Sequence, residues 1–161
     1  MSASNSEGCW ELVLDIVIYG EPVPKSRPRA YRSGRHIRMY TPEKVKQYEN
    51  HVARHVWAEL KEHNRPVIES GPVRFVASVY HKRPQRLMRR KDPDGPLKLW
   101  RKPDVDNVLK CLMDACNKTP LWSDDAQVSR VEVEQYRCAK DGQPRVHMMI
   151  YRWQEQDSEN V

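Results

Sequence analysis

The chain has 161 residues, 28 of them Lys or Arg and 22 Asp or Glu, for a net charge of +6. That length suits one domain with its own core. No apolar run approaches a membrane span, residues 1–8 lack the regions of a secretion signal, no glycine-rich phosphate loop is present, and Cys9, Cys111, Cys116 and Cys138 lack the spacing of zinc ligands. These absences set aside a membrane protein, a secreted protein, a nucleotide-driven enzyme and a zinc module. They leave a cytoplasmic domain with reduced thiols as the expectation.

Residues 1–10 read as a loose tail, 11–153 as the domain, and 154–161 as an acidic tail carrying Glu155, Asp157 and Glu159. Leu12, Leu14, Ile16 and Ile18 recur at every second position and predict the first strand. Pro22, Pro24 and Pro28 then impose a stiff extended segment. Lys25, Arg27 and Arg29 alternate along it, so an extended backbone points them one way, a geometry suited to phosphate. Ser33-Gly34 marks a turn, and His36 to Tyr40 a short strand closing a hairpin. Thr41 as N-cap, Pro42 and Glu43 open a helix whose stripe of Val45, Tyr48, Val52, Val56 and Leu60 runs to about Glu62.

Pro72 to Tyr80 predicts a strand with Val73, Phe75, Ala77 and Val79 on one face. A basic loop follows from Lys82 to Arg101; loops this long without regular structure are uncommon and tend to be functional or disordered. Within and just after it, Lys82, Arg83, Arg89, Arg90, Lys91, Arg101 and Lys102 are candidate DNA contacts. Its apolar residues Leu87, Met88 and Trp100 either anchor it to the core or act as wedges between bases. Beyond Asp104 a helix runs to about Asn117, where Pro120 ends any continuation. Trp122 returns to the core. Val128–Tyr136 and Val146–Trp153 read as strands joined through Asp141-Gly142 as an antiparallel hairpin.

The chemistry concentrates between Lys102 and Gln127. At about 100° per residue, Val105, Val108, Leu109, Leu112, Met113 and Cys116 share one helix face, with Cys111 off its edge. Asp106, Asn107, Lys110 and Asp114 share the other, with Asp104 at the N-cap. A plain account exists: Asp104 caps, Asp106 favours the helix dipole and pairs with Lys110 four residues on, and Asp124-Asp125 form a turn. Capping, however, needs one carboxylate, whereas Asp104, Asp106, Asp124 and Asp125 make two pairs. Gathered carboxylates suit a hard cation such as Mg²⁺. The charge is also segregated. Residues 24–38 hold six Lys or Arg and no acid, and residues 81–103 hold nine with two Asp, as expected of a nucleic-acid surface.

The runs Lys102-Pro103-Asp104-Val105-Asp106-Asn107-Val108-Leu109-Lys110 and Trp122-Ser123-Asp124-Asp125-Ala126-Gln127-Val128 resemble those of the RusA-like Holliday junction resolvases. The resemblance extends to Gly20-Glu21-Pro22-Val23-Pro24-Lys25-Ser26-Arg27-Pro28-Arg29 and to Pro144-Arg145-Val146, covering about residues 12–153. It implies a crossover junction endodeoxyribonuclease acting in recombination and repair, of chromosomal, phage or prophage origin. The fold expected is a single α/β (α+β) domain, a small mixed sheet packed against two main helices. The resemblance makes Asp104, Asp106, Lys110 and Asp125 catalytic. Asp104, Asp106, Asp124 and Asp125 become ligands for one or two Mg²⁺, with Mn²⁺ as substitute, and Asn107 orients a carboxylate. A four-way junction is roughly two-fold symmetric, so a homodimer with two matching sites is expected. Two rivals stay open: a branched-DNA-binding protein without catalysis, and a nuclease for flaps or forks.

Overall fold

A computed structural model describes residues 7–62 and 68–156. In chain order the elements are β1 (Gly8–Tyr19), β2 (Arg29–Ser33), β3 (His36–Tyr40), α1 (Glu43–Glu62), β4 (Val73–His81), β5 (Leu97–Lys98), α2 (Val105–Asn117), β6 (Val128–Arg137) and β7 (Arg145–Glu155). Single 3-10 turns occupy Gln85–Leu87 and Asp125–Gln127. Five strands form one mixed sheet in the order β1-β7-β4-β6-β5, while β2 and β3 form a separate antiparallel pair. The α+β domain with a mixed sheet and two helices is as expected.

The centre of the sheet is β4, whose Val73, Phe75, Ala77 and Val79 are buried at alternate positions. It pairs parallel with β6 and antiparallel with β7. Parallel pairing needs a crossover, and the crossover here carries β5 and α2. This corrects the expected β6–β7 hairpin, because β4 lies between the two strands. Asp141-Gly142 does lie in a turn. The connection around it passes across the end of β4, where Cys138 N–H donates to the His81 carbonyl at 2.9 Å. A turn dipeptide specifies local chain reversal, not which strand lies alongside.

Both helices cover one face of the sheet. From α1, Val45, Tyr48, Val52, Val56 and Leu60 are buried as the stripe predicts. From α2 the buried set is Val108, Cys111, Leu112, Ala115 and Cys116. Two positions differ from the expected face. Cys111 is fully buried and Val105 is 44 % exposed. The buried stripe of α2 is rotated because α1 packs on the side that carries Cys111. Burial pushes the thiols of Cys111 and Cys116 up to about 12, which keeps them inert.

In β1 a register shift between Leu12 and Leu14 makes Val13 an extra residue. Val13 and Leu14 are both buried and Leu12 is exposed, against the simple alternation expected. β1 also begins at Gly8, pairing with Glu155, so both terminal strands extend beyond the residue 12 start and residue 153 end that the alternation suggests. Gly8 is required there, since a Cβ would meet the Trp153 ring at 2.3 Å. Asp157 and Glu159 of the acidic tail lie outside the described residues.

Segment 82–101 is built rather than irregular. The Arg83 guanidinium, 6 % exposed, donates to the carbonyls of Leu87, Pro93 and Gly95 at 2.5–3.0 Å. Lys140 Nζ clamps it from outside through the Arg89 and Asp92 carbonyls at 2.8 and 2.7 Å. β5 then pairs with β6 through Leu97–Arg137 and Lys98–Tyr136. Among the described residues no helix is long and apolar enough to cross a membrane.

Candidate active site

Asp104 is the N-cap residue of α2, in extended backbone, yet its side chain makes no capping hydrogen bond. Its carbonyl closes the helix instead, accepting from the N–H of Asn107 and Val108 at 3.2 and 3.3 Å. The carboxylate is therefore left uncommitted. Asp106, in the first turn, and Lys110, one turn on, are both exposed, and neither joins an ion pair among the described residues. The plain account of capping plus a surface pair thus fails at both carboxylates.

Around them runs an open groove of about 630 Å³ whose wall includes Trp100, Arg101, Lys102 and Gln135. It shares Leu99, Trp100 and Arg101 with a second groove that adds Arg86, Lys98 and Arg137. Trp100 is 80 % exposed with the Arg101 guanidinium 4.4 Å over its ring, so it does not anchor the loop.

The peptide carrying Asp104 is held from beneath by residues that no motif reading singled out. Gln135 Nε2 on β6 donates to the Pro103 carbonyl at 2.9 Å. Its Oε1 lies 2.8 Å from His81 Nε2, and because the amide nitrogen is used on Pro103, the imidazole must be the donor here. His81 is 2 % exposed, with its Nδ1 3.8 Å from a carboxylate oxygen of Glu21. The other Glu21 oxygen accepts from Lys82 N–H at 2.9 Å. Burial alone would raise the Glu21 carboxyl, but the neighbouring His81 imidazole, the Lys82 N–H bond and the Arg137 charge outweigh it and hold it below the usual range. Glu21, His81 and Gln135 come from three distant stretches. Glu21 lies in the Gly20–Arg29 run of the family resemblance, but nothing in that run pairs it with His81 or Gln135.

Lys25 departs from expectation. Its N–H donates to the Asn107 carbonyl at 2.8 Å, and its ammonium sits 2.7 Å from both Glu49 and Asp114. Glu49 is buried and also holds Lys118 at 3.0 Å. Lys25 is thus an internal tie between the proline-rich segment, α1 and α2, not a cation free for phosphate. Arg83 is likewise spent on loop carbonyls. Arg89 pairs with Asp92 at 3.3 Å. Arg27, Arg29, Lys82, Arg90, Lys91, Arg101 and Lys102 remain exposed. Asn107 orients neither carboxylate through its side chain; its main chain does the tying.

The second acidic pair divides its roles. Asp124 Oδ1 accepts from Ala126 N–H at 2.7 Å, and Gln127 Oε1 accepts from Ser123 and Asp124 N–H, a reciprocal cap on the 3-10 turn. Asp125 accepts from Asn117 Nδ2 at 3.0 Å, and Asn117 Oδ1 accepts from the Trp122 indole at 2.7 Å. Asn117 is the last residue of α2 and Asp106 stands in its first turn. At 1.5 Å per residue, about 16 Å of helix separates their backbones. One chain therefore does not gather Asp104, Asp106 and Asp125. Among the described residues no three His, Cys, Asp or Glu side chains converge on a metal position.

The family profile described as Endodeoxyribonuclease RusA matches residues 19–151, spanning the groove, the helix and both acidic pairs. The chain belongs to the RusA family. It is also 33% identical over 143 residues to the "Uncharacterized protein YqaN" of Bacillus subtilis (strain 168), covering 85% of this chain and 94% of that protein. RusA membership makes this an endodeoxyribonuclease of a Holliday junction-resolving family. The matched span runs from Tyr19, at the end of β1, to Tyr151 in β7, so it takes in the Glu21–His81–Gln135 support as well as the acidic residues.

Proposed function

We propose that this RusA protein is a Mg²⁺-dependent endonuclease that resolves four-way DNA junctions by paired, symmetric nicks, working as a homodimer in recombination and repair. The observation that carries it is the uncommitted pair Asp104 and Asp106 at the open N-terminal end of α2 beside a cation-lined groove, with the exposed Lys110 one turn further along the helix.

Two free carboxylates match the donor set of a small hard cation that keeps several of its waters. When bound, the metal lowers the pKa of a coordinated water and stabilises charge on the phosphate under attack. Asp104 and Asp106 would hold it. Lys110 would face the scissile phosphate and offset charge building on its oxygens. Arg101 and Lys102 would bind flanking phosphates along the groove. Asp125 lies at the far end of α2, so it can join only from a second subunit whose helix is reversed, as a two-fold axis provides. That requirement ties catalysis to dimerisation. The distance between the acidic pairs within one chain is also the observation that favours the non-catalytic rival.

The test is cleavage of labelled four-way junction, flap, fork and linear duplex, with Mg²⁺ and with EDTA. Paired symmetric nicks confined to the junction and lost in EDTA are expected. Equal cutting of linear duplex would remove junction selectivity. Tight binding with no cutting at any Mg²⁺ or Mn²⁺ concentration would leave a binding protein.

The support beneath Asp104 is tested by Gln135→Glu, which keeps an acceptor for His81 but loses the donor to Pro103. Cleavage is expected to fall roughly 10- to 100-fold, the scale of a misplacement of about 1 Å. Thermal unfolding should shift by no more than about 2 °C, because His81 keeps its partner. Undiminished cleavage would reduce Gln135 to sheet structure.

A further inference from the structure

β2 and β3 stand apart from the five-stranded sheet, and every residue of both strands is exposed. A lone two-stranded hairpin is marginal in water. Its composition is also wrong for a solvated turn: Tyr31 is 47 % exposed, Ile37 76 %, Met39 63 % and Tyr40 41 %. Exposed apolar surface of this kind marks a contact site.

The pairing register sorts its side chains. Arg29 lies opposite Tyr40, Tyr31 opposite Arg38, and Ser33 opposite His36. Directly opposed residues share a face, and the face alternates along each strand. Tyr31, Tyr40, Arg29 and Arg38 therefore form one face, each ring opposed by a guanidinium. The two rings meet edge to face at 5.7 Å. The other face carries Ala30, Arg32, Ile37 and Met39, and Arg32 is turned back onto the Gly34 carbonyl at 3.2 Å. Gly34, at φ +63°, closes the turn. No acidic residue occurs between Pro24 and Arg38, and none of the arginines there pairs with a carboxylate of the described residues.

A row of two rings interleaved with two unpaired guanidinium groups is complementary to nucleotides whose bases are free of the helical stack. The rings offer stacking platforms and the arginines neutralise the phosphates. We propose that this hairpin is an arm whose Tyr31–Tyr40 face stacks on unpaired nucleotides at the branch of the DNA. The proposal rests on the branched-DNA reading above. It adds Tyr31, Arg38 and Tyr40 to the contacts expected, and assigns the arm to the branch point rather than to the duplex. A second copy of this chain would use the apolar face first, because that face holds the two most exposed aliphatic side chains of the arm.

The experiment measures binding in EDTA, so that nothing is cut, of the full chain to a synthetic four-way junction, a single strand of the same sequence and a blunt duplex. Tyr31→Ala/Tyr40→Ala should weaken binding to junction and single strand by roughly tenfold to a hundredfold, the scale of lost base stacking. Duplex binding should change by less than about threefold, since its bases are already stacked. Tyr31→Phe/Tyr40→Phe, which keeps both rings, should restore affinity. Ile37→Ser/Met39→Ser disturbs the same hairpin from its other face and should leave affinity within about threefold. Unchanged junction binding by the Ala pair, or equal loss on all three DNAs, overturns the assignment. So does loss of affinity that follows a change from dimer to monomer in sedimentation, which gives the arm to a second copy. Wild type that binds none of the three DNAs fails the branched-DNA reading itself. Wild type that binds and cuts the junction while the Ala pair matches it fails only the arm.

Discussion

Asp106→Asn is expected to lower junction cleavage by at least about a thousandfold while leaving the fold intact. The side chain is exposed, in the first turn of α2, with no ion-pair partner among the described residues. Amide for carboxylate keeps its size, so packing does not change. Loss of one anionic oxygen ligand removes several kcal/mol of charge stabilisation at the metal and the phosphate, and about 4 kcal/mol is a thousandfold. Unfolding should stay within about 0.5 kcal/mol of wild type, as for other surface substitutions. Junction binding in EDTA should be unchanged or tighter, because one negative charge facing the phosphates is gone. A single experiment with cleavage, melting and binding arms separates the outcomes. Undiminished cleavage sinks the assignment of Asp106. Lost cleavage together with lost folding would mean that the carboxylate is architectural.

Lys25→Met is expected to act on stability instead. The Lys25 ammonium lies 2.7 Å from Glu49, which is buried, and 2.7 Å from Asp114. Removing one partner of a fully buried pair costs about 3–5 kcal/mol. Here Lys118 still holds Glu49 at 3.0 Å and Asp114 faces solvent in part, so about 2–3 kcal/mol is expected, or roughly 5–10 °C in melting temperature. The pH dependence follows from the direction of the shift. Burial acts to lower the Lys25 pKa, but the bonds to Asp114 and Glu49 raise it above its ordinary 10.5. A raised folded value means that the contribution is complete below the unfolded lysine value and is lost as pH rises through the folded one. The difference between wild type and Lys25→Met should therefore be full at neutral pH and shrink above about pH 10.5. A phosphate contact would behave in the opposite way, with weaker DNA binding at unchanged melting temperature.

These two residues show how much of the site was legible. Asp104, Asp106 and Lys110 follow from one helix and its periodicity, and a helix is a local object. Their spacing survives whatever packs beneath it. Asp124 and Asp125 were equivalent as letters, yet one caps a turn and the other meets Asn117. The family motif separates them by role, but their order does not assign these partners, since that choice depends on which backbone N–H groups the turn exposes. Asn107 and Val105 were placed on plausible faces, but the rotation of α2 was set by α1, whose contact with Cys111 no helical wheel contains.

By itself, the sequence determined the helices and most strands, because hydrophobic periods of 3.6 and 2 are read from neighbours along the chain. It determined the basic segments and the RusA motifs too, through residue types at fixed spacing. Only the tertiary structure decided which cations are free. Lys25 finds Glu49 and Asp114, and Arg83 finds three carbonyls of its own loop. It alone also placed β4 between β6 and β7, and put His81 and Gln135 under Pro103. The reason is common to all of these. A charge or a hydrogen-bonding group is committed by partners reached through space, some of them more than fifty residues away, and that distance is closed by burial of the core rather than by anything adjacent in the chain.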